Sequence, residues 1–119
     1  MAIFQSAQIL LPKTNSPEKW ATIACDQFAS QPQYWQQVRE YVGDAPSALK
    51  LIWPEAELGD DAQTRIRTIN DTMHQYLQQK LFTFYDDAFI YVERTLLDGQ
   101  IRRGIVGALD LEHYDYQPD

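Results

Sequence analysis

The sequence predicts a mixed α+β domain with a short mixed sheet, two principal helices and a C-terminal β-hairpin. Two apolar patterns at helical spacing indicate the helices, and Asp98-Gly99 between two β-rich runs indicates the hairpin. The chain has 119 residues, of which 45% are apolar and 23% are charged. This length and composition are typical of one folded globular domain.

The composition also excludes several classes of protein and site. Seventeen acidic and ten basic residues give a net charge of −7, which opposes binding to the nucleic-acid backbone. One cysteine and two distant histidines allow no intrachain disulfide and indicate no metal site. No apolar run reaches the ~20 residues of a membrane span, and no basic region precedes an N-terminal apolar stretch. We therefore expect a soluble, cytoplasmic chain without a signal peptide.

The first quarter of the chain predicts two strands and one helix start. The apolar run 8–11 ends at Pro12, as expected of a strand. Ser16 and Pro17 form a helix-start pattern, with serine as N-cap and proline at the first helical position. The run 20–24 predicts a short buried strand, although so short a pattern is also compatible with a helix.

The middle of the chain predicts the two principal helices and another strand. The first helix begins at 30–32 and ends at Gly43, with apolar residues at helical spacing between them. Residues 48–53 predict a strand, which Pro54 ends. The second helix is expected from about residue 62 to about residue 79, because one apolar stripe continues over that length.

The hairpin is the clearest of the predicted elements. Its β-rich runs are 89–96 and 101–111, and the Asp-Gly pair between them suits a turn with positive φ. A two-residue turn would place Arg94 opposite Arg103. Apolar residues on both faces near the open end predict that a larger sheet buries the hairpin on both sides.

The last ten residues differ in composition from the rest. Residues 110–119 are acidic, contain Tyr114 and Tyr116, and include no lysine or arginine. They predict a solvated tail. The alternative is that Leu111 and the two tyrosines pack on a partner, because tyrosine is not typical of disordered tails.

Two arginines of the hairpin are candidates for binding an anion. Like charges directly opposite each other in a sheet are unfavourable, so Arg94 and Arg103 suggest a pair that forks around a phosphate or carboxylate. The alternative is a solvated charge cluster that protects the sheet edge.

A second candidate site lies between an apolar run and the first principal helix. Asp26 and Gln27 follow the end of that run, a position where small ligands often bind in α/β proteins. Backbone N–H groups at the start of the helix, such as those of Gln31 and Tyr34, would point to the same region and favour an anion. The alternative is that Asp26 only caps a turn and Ser30 only caps the helix.

Five segments, in order and over most of the chain, match the pattern of one known family. The longest and most unusual is IACDQFASQPQYW at 23–35, and the others are 8–12, 42–47, 91–95 and 104–112. On these segments the chain resembles the bacterial and archaeal DUF 1015 family, a domain of unknown function.

The resemblance implies a parent protein larger than this chain. Family members are usually several hundred residues long, so residues 1–119 are expected to be an N-terminal portion whose partner is the missing C-terminal remainder. The family is distantly similar to the ParB and free-serine-kinase superfamily. That similarity implies a parent that binds a small metabolite or a nucleotide and transfers a phosphoryl group. The Asp-Gly-(Asn/His)-His motif of the larger members has no counterpart here, so the fragment alone is expected to be inactive.

The resemblance also suggests roles for the candidate residues. In phosphoryl transfer, Asp26 would act as a base toward a hydroxyl or would position the ammonium group of a substrate. The expected substrate-binding residues are Gln27, Ser30, Gln31, Arg94 and Arg103. The competing hypothesis is a non-catalytic binding or assembly module, whose hairpin edge docks to another chain or to a second copy in a homo-oligomer.

Overall fold

The structure is a computed structural model, and it describes residues 3–111. These residues form three α-helices, six β-strands and two 3₁₀ helices. The α-helices are α1 (Pro17–Trp20), α2 (Pro32–Val42) and α3 (Ala62–Gln78). The strands are β1 (Ile3–Gln5), β2 (Ala7–Pro12), β3 (Phe82–Ala88), β4 (Ile90–Thr95), β5 (Ile101–Val106) and β6 (Ala108–Asp110). The 3₁₀ helices are Ala48–Leu51 and Glu55–Glu57. The predicted α+β class is confirmed.

The strands form three two-stranded sheets instead of the one short sheet that the sequence predicted. Among the described residues, β1 pairs with β6, β2 with β3, and β4 with β5. The pairs β1–β6 and β4–β5 are antiparallel.

The chain divides into two compact units. The helical unit consists of Pro12–Phe82 and contains all three α-helices. The sheet unit consists of the described residues before Pro12 and after Phe82. The tail predicted at 110–119 begins inside β6, and residues 112–119 lie outside the described chain.

The core of the helical unit forms around the inner face of α2. Trp35 and Val42 project from that helix, and Leu49 meets them from the first 3₁₀ helix. Trp35 is completely buried, and its indole N–H donates to the backbone carbonyl of Gln27 at 3.1 Å. The tryptophan therefore supplies apolar packing and satisfies a loop carbonyl at the same time.

A buried serine connects three parts of the helical unit. The Ser47 backbone N–H donates to the hydroxyl of Tyr76 on α3 at 3.1 Å, and its own hydroxyl donates to the carbonyl of Trp20 at 3.3 Å. The same hydroxyl accepts from the Leu49 N–H at 3.1 Å, which caps the first 3₁₀ helix. The Trp20 ring packs against the rings of Tyr76 and Phe82, with centroids 5.9 and 5.7 Å away.

Both principal helices lie where the sequence placed them, whereas two predicted strands are wrong. Residues 21–24 form neither helix nor strand, and the run 48–53 contains a 3₁₀ helix in place of a strand. Neither run has a strand partner in the described chain, and both contribute to the helical core through Ile23 and Leu49. A short apolar run indicates burial, but it does not determine the backbone conformation.

The hairpin exists, but its predicted register is wrong by one residue. The loop contains three residues, because the Leu96 N–H bonds to the Gln100 carbonyl at 2.8 Å and the Gly99 N–H to the Leu96 carbonyl at 3.0 Å. Gly99 has a φ of +86°, as expected of a turn followed by a left-handed residue. The observed pairs include Tyr91 with Ile105, Glu93 with Arg103 and Arg94 with Arg102.

The predicted burial of the hairpin on both faces is also wrong. Every residue of β5 is exposed, and Ile90 is the one residue of β4 that is partly buried. No helix of the described chain has the length and apolar character that crossing a membrane requires.

Candidate functional site

The turn segment, defined as residues 25–30, carries the predicted catalytic aspartate in the helical unit. It connects the loop at 21–24 to α2. Asp26, Gln27 and Ser30 are exposed in this segment, and Gln31 is exposed directly after it. The structure therefore brings four of the six predicted site residues together on one stretch of backbone.

Two hydrogen bonds from outside the segment hold the backbone on either side of Asp26. The Glu55 N–H donates to the Cys25 carbonyl at 2.8 Å. The Trp35 indole N–H donates to the Gln27 carbonyl at 3.1 Å. Since Trp35 is fully buried, the turn segment is anchored to the core of the unit while the Asp26 side chain remains exposed.

The same segment contains an unusual backbone conformation. Phe28 has a φ of +52°, in the left-handed region that a bulky residue rarely adopts. Its ring stacks on Tyr34 of α2, with centroids 4.3 Å apart and planes 24° from parallel. Strained residues of this kind concentrate at functional sites, where the surrounding structure holds them in place.

The structural roles considered as alternatives for Asp26 and Ser30 are not observed. The N-cap of α2 is Gln31, and no side-chain hydrogen bond caps that helix. Neither the Asp26 carboxylate nor the Ser30 hydroxyl has a hydrogen-bond partner within residues 3–111. Within the described chain, the hydrogen-bonding groups of both side chains are therefore not used by the fold.

The backbone anion site predicted at the start of α2 is weaker than expected. The Gln31 N–H already donates to the Phe28 carbonyl at 3.0 Å, and the Tyr34 N–H donates to the Gln31 carbonyl at 3.1 Å. Two of the amides expected to face an anion therefore already donate hydrogen bonds to backbone carbonyls of the chain.

The hairpin does not hold its two predicted arginines side by side. Because Arg94 lies opposite Arg102 and Arg103 lies opposite Glu93, Arg94 and Arg103 are on opposite faces of the sheet. The predicted fork of these two side chains around one anion is therefore wrong. The like-charged pair is Arg94 and Arg102, and binding by any of these arginines stays a prediction.

A polar cluster occupies the other face of the hairpin. The Tyr91 hydroxyl donates to the Glu93 carboxylate at 2.8 Å, and this hydrogen bond raises the pKa of Tyr91 above its ordinary value of 10.0. Arg103 opposes the shift by favouring the phenolate. Opposite charges on facing residues stabilise a two-stranded sheet, so this face has a local electrostatic reason for its register.

Large apolar side chains surround this cluster in the sheet unit. Phe4, Phe89, Tyr91 and Ile105 line a shallow apolar hollow of about 250 Å³. Tyr91 is 57% exposed and Ile105 is 61% exposed. Beside the hollow, a Cβ atom added to Gly107 would lie 2.8 Å from the Phe4 ring and 2.9 Å from the Phe89 ring.

Sequence reasoning selected the turn segment but missed the residues that hold it. Trp35 and Glu55 fix its two carbonyls from positions 8 or more residues away, through one side chain and one backbone amide. The positive φ of Phe28 has no signal in the sequence either, because glycine or asparagine is the usual signal for that conformation. Within the described chain, no group of three or more His, Cys, Asp or Glu residues could hold a metal ion.

Comparison with known proteins gives one match. A family model described as "Protein of unknown function (DUF1015)" matches residues 9–117. No curated protein and no solved structure matches the chain.

Proposed function

The chain belongs to the DUF1015 family, whose function is unknown, and we propose that it is a binding module whose hairpin docks onto another polypeptide. One observation carries the proposal: β4 and β5 form a two-stranded sheet with exposed apolar residues on both faces. An isolated two-stranded hairpin is marginally stable in water and gains stability from a third strand or a covering layer.

The occupant we propose is a β-strand from the remainder of a longer parent chain. Among the described strands, the outer edges of β4 and β5 have no partner, so either edge offers backbone hydrogen bonds. An added strand would place apolar side chains beside Tyr91 and Ile105. An acidic residue on its other face would relieve the repulsion between Arg94 and Arg102.

The test begins with the source gene, sequenced beyond the codon for Asp119. If the reading frame continues, we expect the amides of β4 and β5 to exchange hydrogen about tenfold or more slowly in the extended protein than in residues 1–119. Amides of α3 serve as the internal control. Equal exchange of the hairpin amides in the two proteins, or a stop codon after Asp119, would contradict this occupant.

A second copy is the alternative occupant, and sedimentation distinguishes it. If the 119-residue chain forms dimers as its concentration rises, and Ile105→Lys abolishes them, then a second copy is the occupant of the hairpin edge. That result would contradict a strand from the parent chain. Gln75→Lys, at an exposed position of α3, is the matched control. A monomer at all concentrations agrees with a strand from the parent chain.

The second candidate function is small-metabolite or nucleotide binding with phosphoryl transfer by the parent protein. It is supported by the turn segment, where an exposed carboxylate sits on a backbone anchored by Trp35 and Glu55. In this proposal Asp26 acts as the base or positions a substrate ammonium, and Gln27, Ser30 and Gln31 bind the substrate.

The Asp26 variant in the parent protein tests this candidate. Asp26→Asn is expected to abolish nucleotide-dependent phosphoryl transfer and to leave Tm nearly unchanged, because the carboxylate has no partner in the described chain. Asp44→Asn, at another exposed position, is the control. A lowered Tm without specific loss of transfer would assign Asp26 a structural role.

A further inference from the structure

An open cleft of about 560 Å³ lies within the helical unit. Its walls come from α2, α3 and the two 3₁₀ helices, and Arg39, Lys50 and Arg65 contribute three cationic side chains to them. Its volume is in the range of ordinary small-molecule pockets. Asp26 does not line the cleft, so the cleft is distinct from the turn segment.

Glu57 fixes two of the three cations at the cleft wall. Arg39 donates to both carboxylate oxygens, through Nε to Oε2 at 2.7 Å and through Nη2 to Oε1. Arg65 donates from Nη2 to the same Oε1 at 2.9 Å. These hydrogen bonds, with that from Arg39 the strongest influence, hold the pKa of Glu57 below its ordinary value of 4.5.

Glu57 holds the two guanidinium groups in place but accepts hydrogen bonds from only some of their N–H donors. Their side chains are 35% and 30% exposed, whereas that of Glu57 is 19% exposed. Each guanidinium has five N–H donors, and three hydrogen bonds join the pair to Glu57. One carboxylate against two guanidiniums leaves an excess positive charge, and planar donors at fixed positions suit carboxylate and phosphate oxygens.

Lys50 adds a third cation without an acidic partner. Its ammonium donates to the backbone carbonyl of Ala45 at 2.8 Å, which orients it without neutralising its charge. Since an ammonium has three donors, two remain for a ligand. Within residues 3–111, Lys50 forms no ion pair with any carboxylate.

We propose that this cleft binds a small metabolite with one carboxylate or phosphate group, which Arg39, Arg65 and Lys50 receive. Asp60 and Asp61 also line the cleft, so they favour an ammonium or hydroxyl group elsewhere on the ligand and oppose a polyanion. The Trp53 indole N–H is bonded to the Glu57 carbonyl at 3.1 Å, which fixes its ring as an apolar wall.

The inference does not rest on hairpin docking, because every residue of the cleft belongs to the helical unit. It assigns a site to side chains that neither proposed function uses. Hairpin docking and ligand binding in the cleft can therefore fail separately. Hydrogen exchange of the hairpin tests docking, and ligand titration tests the cleft.

Nuclear magnetic resonance titration of the 119-residue chain tests the proposal. The probes are inorganic phosphate, succinate and glutamate, and the readouts are the side-chain N–H signals of Arg65 and Trp53. We expect saturable shifts with a Kd of about 1 mM or tighter for at least one probe. Stronger binding of phosphate or of a carboxylate probe identifies which anion the site prefers.

Two variants with the same charge change separate the site from general electrostatics. Lys50→Gln leaves the Glu57 ion pairs intact and is expected to weaken binding about tenfold or more. Arg67→Gln removes a cation from an exposed position of α3 outside the cleft and should leave binding within about twofold. The proposal is overturned if no probe saturates, or if both variants weaken binding equally.

Discussion

At the residue scale, Glu57 links parts of the helical unit that are distant in sequence. Its carboxylate receives hydrogen bonds from Arg39 of α2 and Arg65 of α3. The network could not be predicted from sequence, because the three residues are 18 and 8 positions apart and lie on different elements. Charged residues are common on solvated helix faces, and their spacing gave no sign of convergence.

Glu57→Gln is expected to lower the free energy of unfolding at pH 7 by about 1 kcal/mol, because partly exposed ion pairs contribute modestly. The pKa of Glu57 is lower in the folded state, so its contribution is present above the unfolded-state pKa near 4.5. That contribution is lost as pH falls through the folded-state pKa. Urea unfolding of both proteins at several pH values measures the difference.

Glu55→Gln is the matched control, because Glu55 lies in the same 3₁₀ helix with an exposed side chain. We expect this variant to unfold like the natural chain at every pH. A stability difference for Glu57→Gln that stays constant down to acidic pH would contradict the ion-pair explanation.

At the element scale, the hairpin shows what a local signal can and cannot determine. The Asp-Gly pair correctly predicted a reversal between β4 and β5. The same pair is compatible with loops of two or three residues, and the difference moves every cross-strand partner by one position. The face on which Arg103 lies therefore depended on a loop length that the sequence pattern did not specify.

Gly99→Ala is expected to destabilise the hairpin by about 1 kcal/mol, because alanine at a φ of +86° meets a steric penalty that glycine avoids. Hydrogen exchange of the β4 and β5 amides should become severalfold faster. Gly104→Ala is the control, since Gly104 lies in β5 without positive φ and an added Cβ there meets no atom within 4 Å. Equal effects of the two changes would show that the backbone conformation at Gly99 does not determine the stability of the hairpin.

The helices were predicted more closely than the strands. The sequence pattern predicted a helix from about residue 62 to about residue 79, and α3 spans 17 residues, Ala62–Gln78, so both predicted ends lie within one residue of the observed helix. The wrong strands at 20–24 and 48–53 rested on runs of five or six residues, in which burial and conformation are not separable. Tertiary contacts, such as those of Ser47 with Tyr76 and Trp20, decide the backbone there.

At the scale of the whole molecule, the described residues bury few large apolar side chains and expose many. Within residues 3–111, the buried hydrophobic side chains of the core are Trp35, Val42, Leu49 and Tyr76, all in the helical unit. The sheet unit exposes large residues such as Phe84 and Ile105. Alternating apolar residues predicted burial of the hairpin, but periodicity describes one segment and cannot tell whether a covering layer is present.

The chain is expected to have a solubility minimum near its isoelectric point of about 4.6. At neutral pH a net charge of −7 keeps copies apart, and loss of that repulsion lets the exposed apolar surfaces associate. Turbidity measured from pH 7 to pH 4 would show this minimum. Replacing Ile105 with serine, which leaves the charge unchanged, should raise solubility at pH 4.6, and a clear solution of the natural chain there would contradict the prediction.

The crowding around Gly107 has a consequence for sequence variation. A Cβ atom at this position would lie 2.7 Å from the Gln5 carbonyl oxygen and under 3 Å from the rings of Phe4 and Phe89. The backbone oxygen cannot move aside without disturbing the pairing of β1 with β6, where Gln5 faces Ala108. In a saturation mutagenesis screen, position 107 should therefore accept no other amino acid, whereas position 104 in β5 should accept many.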